Sequence, residues 1–251
     1  MLRRLLRRGE PAAPQPPPDP ATLTTSPADA AILERALPLT MTGRERTQAL
    51  IDATRHLVRT GVPGAFAECG VWLGGSVVAM ALTLIEEGAS DRELWLYDTF
   101  EGMTRPGEHD VSPIHPPAAE TWEEAHSRGE RAWPGLFDPE RFNQDAVRET
   151  VLATGYPAER VHIVKGAVEQ TIPGSAPERL ALLRLDTDWY ASTRHEMTHL
   201  YPRLSPGGVL IVDDYGHWEG SRRAVEEHFA AHGEAILLHR IDYAARIGVR
   251  R

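Results

Sequence analysis

Gly208-Val209-Leu210-Ile211-Val212-Asp213-Asp214 is an apolar run of strand length closed by two acids. Leu180-Ala181-Leu182-Leu183-Arg184-Leu185 is a second such run, and it ends at Asp186. Shorter apolar runs at residues 65–69, 94–97 and 161–164 also read as buried strands, the second of them ending at Asp98. Helical spacing fills the gaps between these runs. Residues 44–60 place Thr47, Leu50, Ile51, Thr54, Leu57 and Val58 on one face, and residues 76–87, 139–154, 190–204 and 222–232 are also expected to be helical. Alternating runs at 234–240 and 244–249 suit a final antiparallel pair. Strands alternating with helices predict an α/β chain with a doubly wound, mostly parallel seven-stranded sheet. In such sheets ligands bind beyond the carboxyl ends of the strands. Asp186, Asp213 and Asp214 would gather there, and oxygen ligands suit a hard cation such as Mg²⁺. An aspartate after a strand is also a common turn residue or helix cap, but the convergence of three favours a metal site.

With 251 residues the chain is expected to form one domain with an appendage. The appendage is residues 1–30, a disordered Pro- and Ala-rich tail, and residues 31–251 form the domain. The first eight residues carry four arginines but lack the apolar region of a signal peptide. No stretch approaches the length of a membrane span, so no membrane partner is expected. A formal net charge of −9 argues against nucleic acid as a partner. The single cysteine, Cys69, excludes an intrachain disulfide and fits a cytoplasmic protein.

Residues 99–139 break the rhythm with repeated glycines and prolines. A connection of that length inside a compact domain is usually functional, and Trp122 and Trp133 would be costly to leave in water. A lid or substrate wall inserted after the second strand is expected.

Glu68-Cys69-Gly70-Val71-Trp72-Leu73-Gly74-Gly75-Ser76 joins the first sheet strand to its helix. Glycines there let the backbone approach a ligand closely, and the helix N-terminus offers free N–H donors to an anion. The spacing is not that of the dinucleotide fingerprint. Asp98, at the end of the next strand, stands where an acid would bond ribose hydroxyls. Together they indicate a nucleoside-containing cofactor, NAD or S-adenosylmethionine. Glu68 decides between them, because a carboxylate on the floor of the turn repels a pyrophosphate and attracts an ammonium group.

Three further stretches carry a family resemblance: Tyr97-Asp98-Thr99-Phe100-Glu101-Gly102-Met103, Leu185-Asp186-Thr187-Asp188-Trp189-Tyr190, and residues 200–208 running on to Asp213-Asp214-Tyr215. With the glycine turn they resemble the macrocin O-methyltransferase family, which includes sugar O-methyltransferases of macrolide and aminocoumarin biosynthesis. The resemblance implies a class I methyltransferase fold, S-adenosylmethionine, a divalent cation such as Mg²⁺ and a homodimer. By the same resemblance Glu68, Gly70 and Ser76 surround the methionine part of the cofactor, and Asp98 holds the ribose. Val168 lies near the adenine, and Val71, Gly74, Thr99, Phe100 and Asp186 complete the cofactor set. Asp186, Asp213 and Asp214 match the metal ligands. The implied reaction moves the sulfonium methyl to a hydroxyl of a small-molecule sugar or glycoside, and chelation favours a vicinal diol. Metal-dependent catechol methyltransferases, which resemble this arrangement, place a lysine three residues after the first metal aspartate. Here that residue is Trp189. Asp186 is the first candidate base, with His217 and Asp188 as alternatives. Other expectations are methylation of a non-sugar diol or catechol, an NAD-dependent oxidoreductase, and a non-catalytic binding protein on the same fold.

Overall fold

The computed structural model describes residues 25–251; residues 1–24, most of the expected tail, lie outside the described residues. The next few residues correct the tail's boundary. Pro27–Ala36 is a helix, α1, because Ser26 caps it by accepting the Asp29 N–H at 3.0 Å, with Pro27 at its first position. Arg44–Arg59 forms α2. The sheet then alternates with helices: β1 Ala65–Cys69, α3 Gly75–Glu86, β2 Leu94–Asp98, α4 Ala118–Ser127, α5 Gln144–Leu152, β3 Val161–Lys165, α6 Val168–Thr171, β4 Leu180–Leu185, α7 Tyr190–His199, β5 Leu204–Val212 and α8 Glu219–His232. The short strands β6 His239–Arg240 and β7 Arg246–Val249 close the chain.

The order across the sheet is β3-β2-β1-β4-β5-β7-β6. The first five strands are parallel and β7 runs antiparallel to β5 and β6, so the expected seven-stranded, mostly parallel sheet is present. Alternation of side chains sends successive residues to opposite faces. Phe66, Leu182, Val209 and Ile211 pack with Leu57, Met80 and Val147 from α2, α3 and α5. Ala67, Cys69, Leu183, Leu210 and Val212 pack on the other face with Met197 and Val225 from α7 and α8. Among the described residues no helix is long and apolar enough to cross a membrane.

Several boundaries differ from expectation for local reasons. The helix expected over 190–204 stops at His199, and Pro202 lies in a 3₁₀ turn from which the chain enters β5 at Leu204. The helix expected from 139 begins at Gln144, where Asn143 accepts the Ala146 N–H at 2.8 Å as its cap. The insert after β2 is not structureless, since it carries α4.

Gly70 fixes how closely β1 and β4 approach at their carboxyl ends. Its φ is +81°, and a Cβ built there would lie 2.0 Å from the Asp186 carbonyl oxygen. Gly88 has a similar φ of +70° with nothing within 4 Å of the added carbon. Gly88→Ala should therefore cost only the backbone strain of ~1–3 kcal/mol. Gly70→Ala is expected to cost clearly more, read as the difference between the two urea unfolding midpoints. Equal midpoints would mean that the β1–β4 junction yields freely.

Candidate active site

Sheet register assembles the site before any loop contributes. Glu68 on β1 stands opposite Arg184 on β4, which in turn stands opposite Ile211 on β5. Asp213 lies two residues beyond Ile211 and Asp186 two beyond Arg184, so all four side chains project from one face of the sheet. The Arg184 side chain is 3% exposed and its guanidinium reaches three carboxylates. Its two terminal nitrogens lie 2.5 Å from Glu68 Oε1, 2.8 Å from Asp186 Oδ2 and 2.7 Å from Asp213 Oδ1. The other oxygen of Asp213 is met at 2.5 Å by Arg46 of α2, whose Nε also bonds Asp242 at 2.6 Å.

Asp186, Asp213 and Asp214 each bring an oxygen within 4.8 Å of the others. Burial raises the carboxyl pKa of Asp186 well above its ordinary value; Arg184 pulls the other way, and Asp213 and Asp188 add to the rise. Burial does the same to Asp214, reinforced by Asp188, Asp186 and Asp213. Two acids, Asp186 and Asp214, that resist ionisation beside a third carboxylate make a fit place for a divalent cation, which would remove the repulsion. The hard oxygen set of three carboxylates suits Mg²⁺, as the sequence suggested.

The glycine turn supplies the other half of the site. Glu68 Oε2 is buried without a hydrogen-bond partner, and Glu68 lines the same cleft as the triad. Burial raises the Glu68 carboxyl to about 7 against the pull of Arg184. An unpartnered buried carboxylate oxygen is costly and fits a cationic group of a ligand. Asp98 sits beneath the turn: Oδ2 accepts from the N–H groups of Val71 at 2.8 Å and Trp72 at 3.1 Å, and Oδ1 accepts from Phe100 N–H at 3.0 Å. Thr99 Oγ1 adds a longer fourth contact to Oδ1 at 3.5 Å, the one a ligand hydroxyl would most readily replace. Burial still raises its pKa despite these bonds.

Of the residues expected to touch a cofactor, Glu68, Gly70, Val71, Ser76, Asp98, Thr99, Val168 and Asp186 line one cleft. Gly74 and Phe100 do not. Gly74 is the left-handed cap of α3 at φ 86°, and Phe100 turns into the core against Phe142. His217 lines the cleft, half-buried, with Nδ1 2.9 Å from the Tyr243 hydroxyl. Burial, then His115 and Arg46, lower its pKa.

The insert after β2 closes over the acids as a wall. Asp110 accepts the Tyr190 N–H at 2.7 Å and the Gly107 N–H at 2.7 Å. Trp189 Nε1 donates to the Thr104 carbonyl at 2.9 Å, and its ring lies 6.1 Å from Trp133 and 5.0 Å from Trp218. Trp218 Nε1 donates to Asp188 Oδ1 at 2.8 Å. Asp188 lines the cleft at φ +66°, and burial raises its carboxyl to about 7.

Two residues of the site were not singled out in the sequence. Arg184 had a visible signal, being the one charge in the apolar run of β4. Arg46 had none, because its partners lie on β5's end and on the turn between β6 and β7.

The family model for macrocin-O-methyltransferase (TylF) matches residues 28–247. The tetracenomycin rhamnosyl 4'-O-methyltransferase of Streptomyces olivaceus is 34% identical over 218 residues, covering 86% of this chain and 78% of that protein. Mycinamicin III 3''-O-methyltransferase of Micromonospora griseorubida is 33% identical over 211 residues, covering 81% of this chain and 75% of its own. The solved structure of the O-methyltransferase NovP superposes with a TM-score of 0.71 at 30% identity, covering 84% of this chain and 82% of that one. The chain therefore belongs to the macrocin O-methyltransferase family, S-adenosylmethionine-dependent enzymes on the class I methyltransferase sheet.

Proposed function

We propose that this protein is a divalent-cation-dependent O-methyltransferase acting on a hydroxyl of a sugar, in the biosynthesis of a glycosylated natural product. The observation that carries the proposal is that the acid triad and Glu68, whose Oε2 is buried and unpartnered, line one cleft. The relatives named above methylate sugar hydroxyls, which favours a sugar here over a catechol. Trp189 at the place of the catechol enzymes' lysine points the same way. Homodimeric assembly and a cytoplasmic location belong to the same proposal, on the strength of the family.

S-adenosylmethionine, when bound, supplies a methyl group on a positively charged sulfur, and a divalent cation lowers the pKa of a nearby hydroxyl. Glu68 Oε2 would take the cofactor's ammonium, and the free N–H groups at the start of α3 its carboxylate. Asp98 would accept from the ribose in place of its long Thr99 contact, and Val168 would lie beside the adenine. Asp186, Asp213 and Asp214 would hold the cation. Gly102, Met103 and Thr104 of the insert line the cleft, with Met103 backed by the cluster of Trp133, Trp189 and Trp218, and positioning would do much of the remaining work.

The acceptor's proton goes to Asp188 in this proposal, in place of Asp186. Asp186 is tied to Arg184 and committed to the triad. Asp188 makes no ion pair among the described residues and lines the cleft beside the triad, with Oδ1 accepting from Trp218 Nε1. His217 bonds Tyr243 and is assigned a wall position.

Calorimetric titration with S-adenosylmethionine, with and without Mg²⁺, tests the cofactor; micromolar binding is expected, and no heat in either condition would sink the proposal. Asp213→Asn keeps an acceptor for Arg184 and should abolish turnover while S-adenosylhomocysteine affinity stays within about tenfold, a loss of no more than ~1.4 kcal/mol. Near-normal turnover in that variant would remove the triad from the mechanism. Asp98→Ala should weaken cofactor affinity much more than Mn²⁺ affinity, and equal losses would contradict the ribose role. Asp188→Asn is expected to lower kcat by about 10²-fold or more, with cofactor binding unchanged; a kcat within threefold of wild type would return the base to Asp186 or His217.

A further inference from the structure

The cofactor pocket and the cation site share one buried cation. Arg184 contributes no atom to the lining of the cleft, yet it contacts the acid expected to meet the cofactor and two of the three acids expected to meet the cation. Each contact uses one oxygen of its carboxylate: Oε1 of Glu68, Oδ2 of Asp186 and Oδ1 of Asp213. The opposite oxygens of Glu68 and Asp186 are not engaged by Arg184, and Glu68 Oε2 is the clearest case, being buried and unpartnered, whereas Asp213 Oδ2 is met by Arg46.

We propose that Arg184 is a positioning residue: its guanidinium fixes the rotamers of Glu68, Asp186 and Asp213 together, so that cofactor and cation bind to a single preset array. The proposal rests on the functional assignment above and adds a link between its two ligand sites. A guanidinium suits this task because its donors lie in a fixed plane, whereas an ammonium is a rotatable point charge. Desolvating an arginine this deeply is expensive, and the expense is recovered only if all its carboxylate partners stay in place. Moving one partner therefore disturbs the other two. Arg46 differs in kind. It approaches Asp213 from α2, is 14% exposed, and holds a second carboxylate, Asp242, outside the triad. It competes with a cation for Asp213 Oδ2 and orders nothing on the Glu68 side.

The test is calorimetric titration of the full-length protein with S-adenosylhomocysteine and, separately, with Mn²⁺. Arg184→Lys keeps the charge and loses the fork, and it is expected to weaken both ligands at least tenfold while the unfolding transition stays cooperative. Affinities for both ligands within twofold of wild type in a folded Arg184→Lys would overturn the proposal. If that variant does not fold, Glu68→Asp carries the test, because it keeps the charge and shortens the reach to Arg184. Glu68 is no member of the triad, so a loss of Mn²⁺ affinity of threefold or more would travel through Arg184, and an unchanged Mn²⁺ affinity would overturn the link. Arg46→Gln is expected to bind Mn²⁺ more tightly, because it removes a competitor. Equal weakening in both arginine variants would reduce Arg184 to one more charge near the site and overturn the proposal. A wild-type protein that binds S-adenosylhomocysteine but no Mn²⁺ would be a separate failure, one that removes the cation assignment and this link with it.

Discussion

One guanidinium holds the carboxyl edge of this sheet together. Arg184 lies in the middle strand of β1, β4 and β5, where no water reaches, and its neighbours across both strand pairs are acids or lead to acids. Burial alone would drive Arg184 towards neutrality, but the carboxylates of Asp186, Asp213 and Glu68 outweigh it and hold its pKa above the ordinary value. The dependence runs both ways. Without Arg184 the buried carboxylates of Glu68 and Asp213 and the partly buried one of Asp186 would face one another with Arg46 as the only close cation among the described residues, and without them a guanidinium would sit unpaired in the core. Such a set is a poor source of stability compared with an apolar core of the same volume. Its use lies in the geometry it imposes on groups that must meet ligands.

The sheet supplies this geometry through its parallel register. Parallel strands all present their carboxyl ends on one edge, and every second residue projects from one face. Residues distant in sequence, Glu68, Arg184 and Asp213, thus become neighbours without any loop having to place them. Loops then add what strands cannot. The turn after β1 is drawn tightly against the Asp186 carbonyl by Gly70, and Asp98 fastens the same turn through two backbone N–H groups. Rigid strands hold the charges, and tethered loops shape the space around them.

Much of this was legible in the sequence because it depends on period and on strand ends. The five parallel strands, the antiparallel pair and the acids at 68, 98, 186, 213 and 214 follow from apolar runs and what terminates them. What was not legible depends on tertiary partners. Helix α1 rests on a cap at Ser26 and on packing of Ile32 and Leu33 against α3, which no local pattern announces. The early stop of α7 and the early start of β5 are set by pairing of Leu204 with Leu180. Gly74 and Phe100 were placed in the cofactor set by motif, yet the backbone turns one into a cap and the other into the core. Arg46 was invisible for the plainest reason: its meaning lies wholly in Asp213 and Asp242, which only folding brings to it.

The insert after β2 shows how a segment of low regularity becomes part of a rigid site. Its own backbone bonds lie in α4 and in short turns, and it takes further partners from the acid loops. Asp110 takes the first N–H of α7, Val111 accepts from Glu219 at the start of α8 at 3.0 Å, and Thr104 accepts from Trp189. Gly220 is the counterpart of Gly70 here, since a Cβ on it would meet Asp110 Oδ1 at 2.1 Å. The wall is therefore registered on the residues that follow Asp186 and Asp214, so the space left for an acceptor is defined relative to the triad itself. A change in the insert alters what fits beside the acids without altering the acids, which is how one charged platform can serve acceptors of different shape.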